Sequence, residues 1–249
     1  MTIRAALIII GNEILSGRTQ DVNLAYLATK LNEIGVRLAE TRVIPDIEEE
    51  IVEAVNHLRA KYDYVFTTGG IGPTHDDITA ACVAKAFDLP LTQHPEALKT
   101  LTAHYAALDV ELNEARLRMT MTPEGAGLID NPVSAAPGFK VENVHVMAGV
   151  PKIMQAMLDG ILPTLQGGEV MKSQTILCSR PEGEIAEGLG KIQNEYPELD
   201  LGSYPAYASN GFRLSLVLRG TDQTMIDMAT AEVIALIESL DGKSEIVKS

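Results

Sequence analysis

Residues 3 to 10 read Ile-Arg-Ala-Ala-Leu-Ile-Ile-Ile and are closed by Gly11. A strand whose successive residues are nearly all aliphatic has no face to give to water. It has to be covered on both sides, as strands are in a parallel sheet with helices on either face. The succeeding residues keep that rhythm. Asp21 is placed to cap a helix whose apolar positions Leu24, Leu27, Leu31 and Ile34 are spaced three, four and three, and Gly35 supplies its stop. A second strand over residues 36–44 ends in Pro45-Asp46. Asp46 with Glu49 three residues on has the pattern of a capping box opening a helix over residues 47–60. A third strand, residues 64–67, runs into glycines and then an Ala-rich helix beginning near Asp77. Three strand-helix units in ninety residues predict an α/β fold built on a doubly wound parallel sheet.

In such a sheet ligands bind outside the carboxyl ends of the strands. Three loops qualify, at residues 11–17, 45–46 and 69–77. The third carries Gly69, Gly70 and Gly72 directly before a helix start. Glycines let the backbone approach a phosphate closely, and free N–H groups at a helix start attract an anion. Asp76 and Asp77 stand at the same place. Carboxylates repel a phosphate unless a cation lies between them, so the pair points to a metal-bridged phosphate site. A tight turn with an Asp N-cap explains the same residues, and capping alone explains Asp46. Asn12, Glu13 and Ser16 read equally as ligand-facing or as solvated loop residues.

Composition narrows the partners. Among 249 residues, 34 acidic against 20 basic side chains leave a net charge of −14. Neither nucleic acid nor an anionic membrane surface is an expected partner, since both need a positive surface. A local metal site can still hold a phosphate. Cys82 and Cys178 are far apart in apolar segments and lack metal-ligand spacing, as buried thiols in a reducing compartment would. The opening MTIRAALIIIGNE has an apolar run too short for a bilayer span or a signal peptide, so a cytoplasmic location is expected. The histidines show no metal-ligand pairing and are expected on the surface or satisfied.

Beyond Pro90 two helical stretches are expected over residues 94–108 and 112–121, then a turn-rich segment over residues 123–139. A strand over residues 141–147 leads into Gly149, Val150 and Pro151, a strand-to-helix elbow that repeats the glycine-loop geometry. Residues 166–168, Gln-Gly-Gly, are the expected boundary. After them come strand (173–178), helix (182–194), strands (202–205 and 211–219) and helix (224–240), a small α+β unit without an acid/base or metal cluster, suited to packing or dimerisation.

TTGGIGPTHDDIT, preceded by GNEILSG and VIPD and followed by PEGA, APGF and GVP, resembles the MoaB/Mog molybdopterin-binding domain. More narrowly it is similar to the amino-terminal part of competence/damage-inducible protein A (CinA) and the related domain of FAD synthases. The ordered blocks cover residues 3–165, and SRPEGEIAEGL with GSYP resembles the small domain that comes next in CinA-type proteins. The resemblance implies a three-layer α/β/α sandwich over residues 1–166, a CinA-type α+β domain over residues 170–249, and a homo-oligomer, dimer or trimer.

It also implies a small-molecule ligand, a nucleotide or pterin phosphate. Carried over by motif, Asp77 and Asp46 are the catalytic acids and Asp76 and Asp77 the metal ligands. Gly11, Asn12, Glu13, Ser16, Thr67, Thr68, Gly69, Gly70, Gly72, Pro137, Gly138, Gly149 and Pro151 face the ligand. Asp76 stands where molybdopterin-type members have Arg and CinA-type members have Asp. That favours hydrolysis of ADP-ribose or a similar nucleotide diphosphate with Mg²⁺, Mn²⁺ or Co²⁺. Molybdopterin adenylylation, or binding of molybdopterin or a nucleotide without turnover, is the alternative. The sequence departs from the family at Ser134-Ala135 (commonly Gly-Thr), Ala148 (Pro) and Ile153 (often Glu). With the chain ending at Ser249, no amidohydrolase domain and no nicotinamide-nucleotide deamidation are expected.

Overall fold

A computed structural model describes residues 2–205 and 211–247. The chain divides into two compact units, Met1–Glu169 and Val170–Ser249.

The first unit runs β1 (Ile3–Ile10), α1 (Asn12–Leu15), α2 (Asn23–Glu33), β2 (Val36–Ile44), α3 (Glu48–Lys61), β3 (Tyr64–Thr68), α4 (Thr79–Ala86), β4 (Leu91–Gln93), α5 (Pro95–Ala107), α6 (Glu114–Leu117), β5 (Met121–Pro123), β6 (Gly127–Ile129), β7 (Gly138–Val141), β8 (Val144–Met147) and α7 (Pro151–Ile161). The main sheet has the order β2-β1-β3-β8-β7-β6, and β4 with β5 forms a separate two-stranded ribbon. The aliphatic run is the middle of a sandwich. Ala6, Ile8 and Ile10 pack with Ile51, Val55, Leu58 and Val83 on one side. Ala5, Leu7 and Ile9 pack with Leu27, Leu31, Met154 and Leu158 on the other. Alternate residues of one strand thus serve two cores.

The sheet is mixed, where a doubly wound parallel one was expected. β2, β1, β3 and β8 are parallel, and β7 and β6 are added antiparallel. The expected strand over residues 141–147 is in fact the β7–β8 hairpin. Glu142, with φ of 49°, turns the chain. Asn143 anchors the turn by donating to the carbonyls of Arg59 and Tyr62 at 3.0 and 2.9 Å. The helix expected over residues 112–121 shortens to α6 and a 3₁₀ turn, Arg118–Thr120.

The second unit contains β9 (Lys172–Cys178), α8 (Glu182–Glu195), β10 (Asp200–Pro205), β11 (Leu214–Gly220), α9 (Gln223–Ser239) and β12 (Ser244–Val247). Its antiparallel sheet has the order β10-β11-β9-β12. Leu214, Leu216, Leu218 and Ile176 pack with Ile185, Ile192, Ile226 and Val233 of the two helices. No helix among the described residues is long and apolar enough to cross a membrane.

Candidate functional site

The register pairs Ile10 with Ile44, Ile9 with Thr68, and Thr68 with Met147. The carboxyl ends of β2, β1, β3 and β8 therefore lie level, and the loops that leave them enclose one cleft. Its volume is about 520 Å³. Asp46 comes from the β2 loop, Gly11 and Glu13 from the β1 loop. The β3 loop supplies Gly69, Gly70, Gly72, Asp76 and Asp77, and the β8 loop supplies Gly149, Val150, Pro151 and Ile153. Met119, Asn131, Ser134 and Ala136 close the far wall.

The glycine loop has the conformation its sequence predicts. Gly69 and Gly70 have φ of +104° and +66°, a region that favours glycine. A Cβ at Gly69 would sit 2.1 Å from the Ile10 carbonyl oxygen, and one at Gly70 would sit 2.1 Å from Thr79 Oγ1. The Thr79 hydroxyl donates to the Gly69 carbonyl at 3.1 Å and its N–H to the Gly70 carbonyl at 3.0 Å, tying the loop to the first turn of α4.

Asp21 accepts the Leu24 N–H at 2.9 Å in the first turn of α2, but neither Asp46 nor Asp77 is an N-cap. The cap of α4 is Ile78 and that of α3 is Ile47, both without a side-chain cap bond. Asp77 Oδ2 instead accepts the Thr74 N–H at 2.7 Å and the Thr74 hydroxyl, which leaves Oδ1 uncommitted. Asp46 Oδ2 accepts the Asn12 N–H at 3.0 Å and so links the β2 loop to the β1 loop. The Asp76 carboxyl is held below its ordinary range, first by Thr74, for whose one hydroxyl proton it competes with Asp77, and then by its own backbone amide.

Several residues expected at the ligand are elsewhere. Thr67 and Thr68 are buried in β3 and stay behind the loop, because inner-strand side chains point into the layers and not along the strand. Asn12 meets Asp46 through its backbone, and the Ser16 hydroxyl donates to the Glu13 carbonyl at 3.2 Å. Gly138 serves packing, since a Cβ there would lie 2.3 Å from the Val146 carbonyl oxygen. Pro137 lines a narrow neighbouring pocket. Two histidines depart from expectation: His94 has a buried Nδ1 without a partner among the described residues, and His145 is 1% exposed, stacks on Phe66 at 5.2 Å, and has no such partner for either ring nitrogen.

The far wall is a part of the site that the sequence does not announce. Buried Asn131 accepts the N–H groups of Val133 and Ser134 at 3.1 Å and donates to Ser134 Oγ and the Ala136 carbonyl at 2.7 Å. That exhausts its amide and holds the adjoining turn, with Ala135 at φ of 61°, against the cleft. An Asn-Pro pair in a turn-rich stretch signals a turn, but no local pattern ties it or Met119 to the other loops of the cleft.

Four carboxylates, Glu13, Asp46, Asp76 and Asp77, line the cleft, and among the described residues no Lys, Arg or His does. Among the described residues no three His, Cys, Asp or Glu side chains come together as a closed metal cage. The donor set fits a different arrangement: a hard cation taking one or two carboxylates and completing its shell with ligand oxygens and water.

Fold and site define an α/β protein that presents a glycine loop and a group of carboxylates to a cleft at the carboxyl edge of its sheet. Residues 6–167 match the family described as the probable molybdopterin binding domain, and residues 170–242 match the middle domain of FAD synthase. The chain belongs to that molybdopterin-binding-domain family. It is 35% identical over 240 residues to a CinA-like protein of Citrifermentans bemidjiense, which covers 92% of this chain and 57% of that protein. A protein of Aeropyrum pernix is 34% identical over 246 residues, 95% of this chain and 92% of its own length. The crystal structure of a CinA protein of unknown function from Thermoplasma acidophilum superposes with a TM-score of 0.60 at 33% identity, covering 65% of this chain and 98% of that one.

Proposed function

We propose that the protein is a divalent-metal-dependent pyrophosphatase acting on ADP-ribose or a similar nucleotide diphosphate. The observation that carries this reading is the pairing of a glycine loop with four carboxylates in one cleft that, among the described residues, has no basic side chain. A phosphoanhydride could not enter such a cleft alone, because like charges in a partly desolvated site repel strongly. A bound divalent cation, held by Asp77 with Asp76 or Asp46, would neutralise charge on the phosphates and lower the pKa of a water.

The chain's own groups do the rest. The glycine-loop backbone lies against the phosphates. Asp77 Oδ1 and the free oxygen of Asp46 face the site, fixed by the Thr74 and Asn12 bonds on their other oxygens. The attacking water forms a P–O bond to one phosphorus and the bridging P–O bond breaks. The leaving phosphate takes the electron pair, and the proton of the water passes to a carboxylate or to solvent. Two phosphate monoesters result. Val150 and Ile153, at the start of α7, offer apolar surface for a planar base.

A second reading, binding of a pterin or nucleotide phosphate without turnover, draws on Ile153, which gives the first turn of α7 an apolar side chain at the cleft. Chromatography of the protein incubated with ADP-ribose, FAD or NAD and Mg²⁺, Mn²⁺ or Co²⁺ separates the two. AMP that disappears with chelator supports hydrolysis; tight binding with no AMP after long incubation supports the second reading.

A further inference from the structure

A narrow pocket of about 20 Å³ shares Gly70, Gly72, Asp77 and Met119 with the main cleft and is lined by Arg118 as well. Among the described residues Arg118 is the one basic side chain in the lining of either cavity. It stands on the 3₁₀ turn Arg118–Thr120, whose backbone is firmly held. The buried Thr120 donates to the Leu117 carbonyl at 2.6 Å, and its own carbonyl accepts the His94 N–H at 2.8 Å. The side chain is not held. Two residues earlier, Arg116 is spent on the Glu111 carbonyl and on the ring of Tyr105, 4.7 Å from its centroid. Among the described residues Arg118 has neither an ion pair nor a side-chain hydrogen bond, although Asp77 lines the same pocket.

We propose that Arg118 binds the phosphate of the ligand, reaching past Met119 to the phosphate seated on the glycine loop. The proposal rests on the nucleotide-diphosphate reading of the cleft. The charge balance asks for such a group. One divalent cation offsets only half of the four carboxylates, before the two phosphates add their own charge. The pocket itself is too small for a phosphate, so the phosphate stays in the main cleft and the long side chain comes to it. A guanidinium presents a planar fork that matches two phosphate oxygens, and its charge does not titrate away. Because its backbone is anchored and its head is uncommitted, Arg118 can make this contact without giving up another.

The test is calorimetric binding of α,β-methylene-ADP, which is not hydrolysed, with Mn²⁺ present, to wild type, Arg118→Ala and Arg118→Lys, with melting curves for all three. The expected result is binding about tenfold or more weaker in Arg118→Ala, partial recovery in Arg118→Lys, and unchanged melting, since the side chain has no partner among the described residues to lose. Arg118→Ala binding as tightly as wild type overturns the proposal and leaves the nucleotide reading standing. Equal loss in both variants together with lower melting temperatures also overturns it, because the residue would then act through the fold. Wild type that fails to bind the probe overturns both readings.

Discussion

Gly70 shows how one residue connects conformation to chemistry. Its φ of +66° and the 2.1 Å that would separate an added Cβ from Thr79 Oγ1 leave no room for a methyl group, while Thr79 holds the loop from below. Gly70→Ala should therefore lose about 2 kcal/mol or more of stability, from left-handed strain plus the displaced Thr79 hydrogen bonds. Urea unfolding of the two proteins measures it. The conformation of this loop is legible in the sequence, because glycines between a strand and a helix mark where the backbone turns through positive φ. Thr67 and Thr68 mislead for the opposite reason. They adjoin the loop in sequence, but strand alternation sends their side chains into the layers.

Among the elements, β8 carries an unusual burden. It places Val144, Val146 and Met147 in the two cores and, between them, His145, which has no partner among the described residues for either nitrogen. Burial first, and then the nearby positive charge of Lys140, push the His145 imidazole down to about 4, from an ordinary value of 6.5. The folded protein keeps this group neutral while the unfolded chain protonates it below pH 6.5. Its neutrality contributes stability that is whole above pH 6.5 and is lost as pH falls towards 4, by about 3 kcal/mol in all. His145→Leu should flatten the decline in unfolding free energy between about pH 6.5 and 4.5 relative to wild type. Equal slopes would show that the ring finds a proton acceptor.

The same stretch shows where the sequence stops being readable. β6, β7 and β8 are three or four residues long, and residues 123–139 are rich in glycine and proline, so no periodicity can develop. Their antiparallel order comes from pairing at long range, which a local pattern does not encode. β12, also four residues, escapes the sequence pattern on the same ground. The long elements α2, α3, α8 and α9 are legible to within a few residues, because several turns of apolar spacing repeat in each.

At the scale of the whole molecule, the division at residues 169 and 170 separates the two cores on either face of β1 from a third built on β9 with β11. A fragment ending at Glu169 should fold alone, with a cooperative thermal transition and the same cleft, since all residues lining the cleft belong to it. Circular dichroism and calorimetry of the fragment check this. A fragment without a cooperative transition would show that the first unit depends on the second.

Hydrolysis by the acidic glycine-loop cleft stands or falls with Asp77, which joins the two halves of the site, lying beside Gly72 with one oxygen fixed by Thr74 and the other open. The measurement that tests this most directly is the rate of AMP release from ADP-ribose by wild type and by Asp77→Asn at saturating metal. A loss of about a hundredfold or more is predicted, with the melting temperature little changed, in line with removal of a charged group that acts on the transition state. Undiminished turnover in Asp77→Asn would contradict that role and would place the chemistry elsewhere in the molecule.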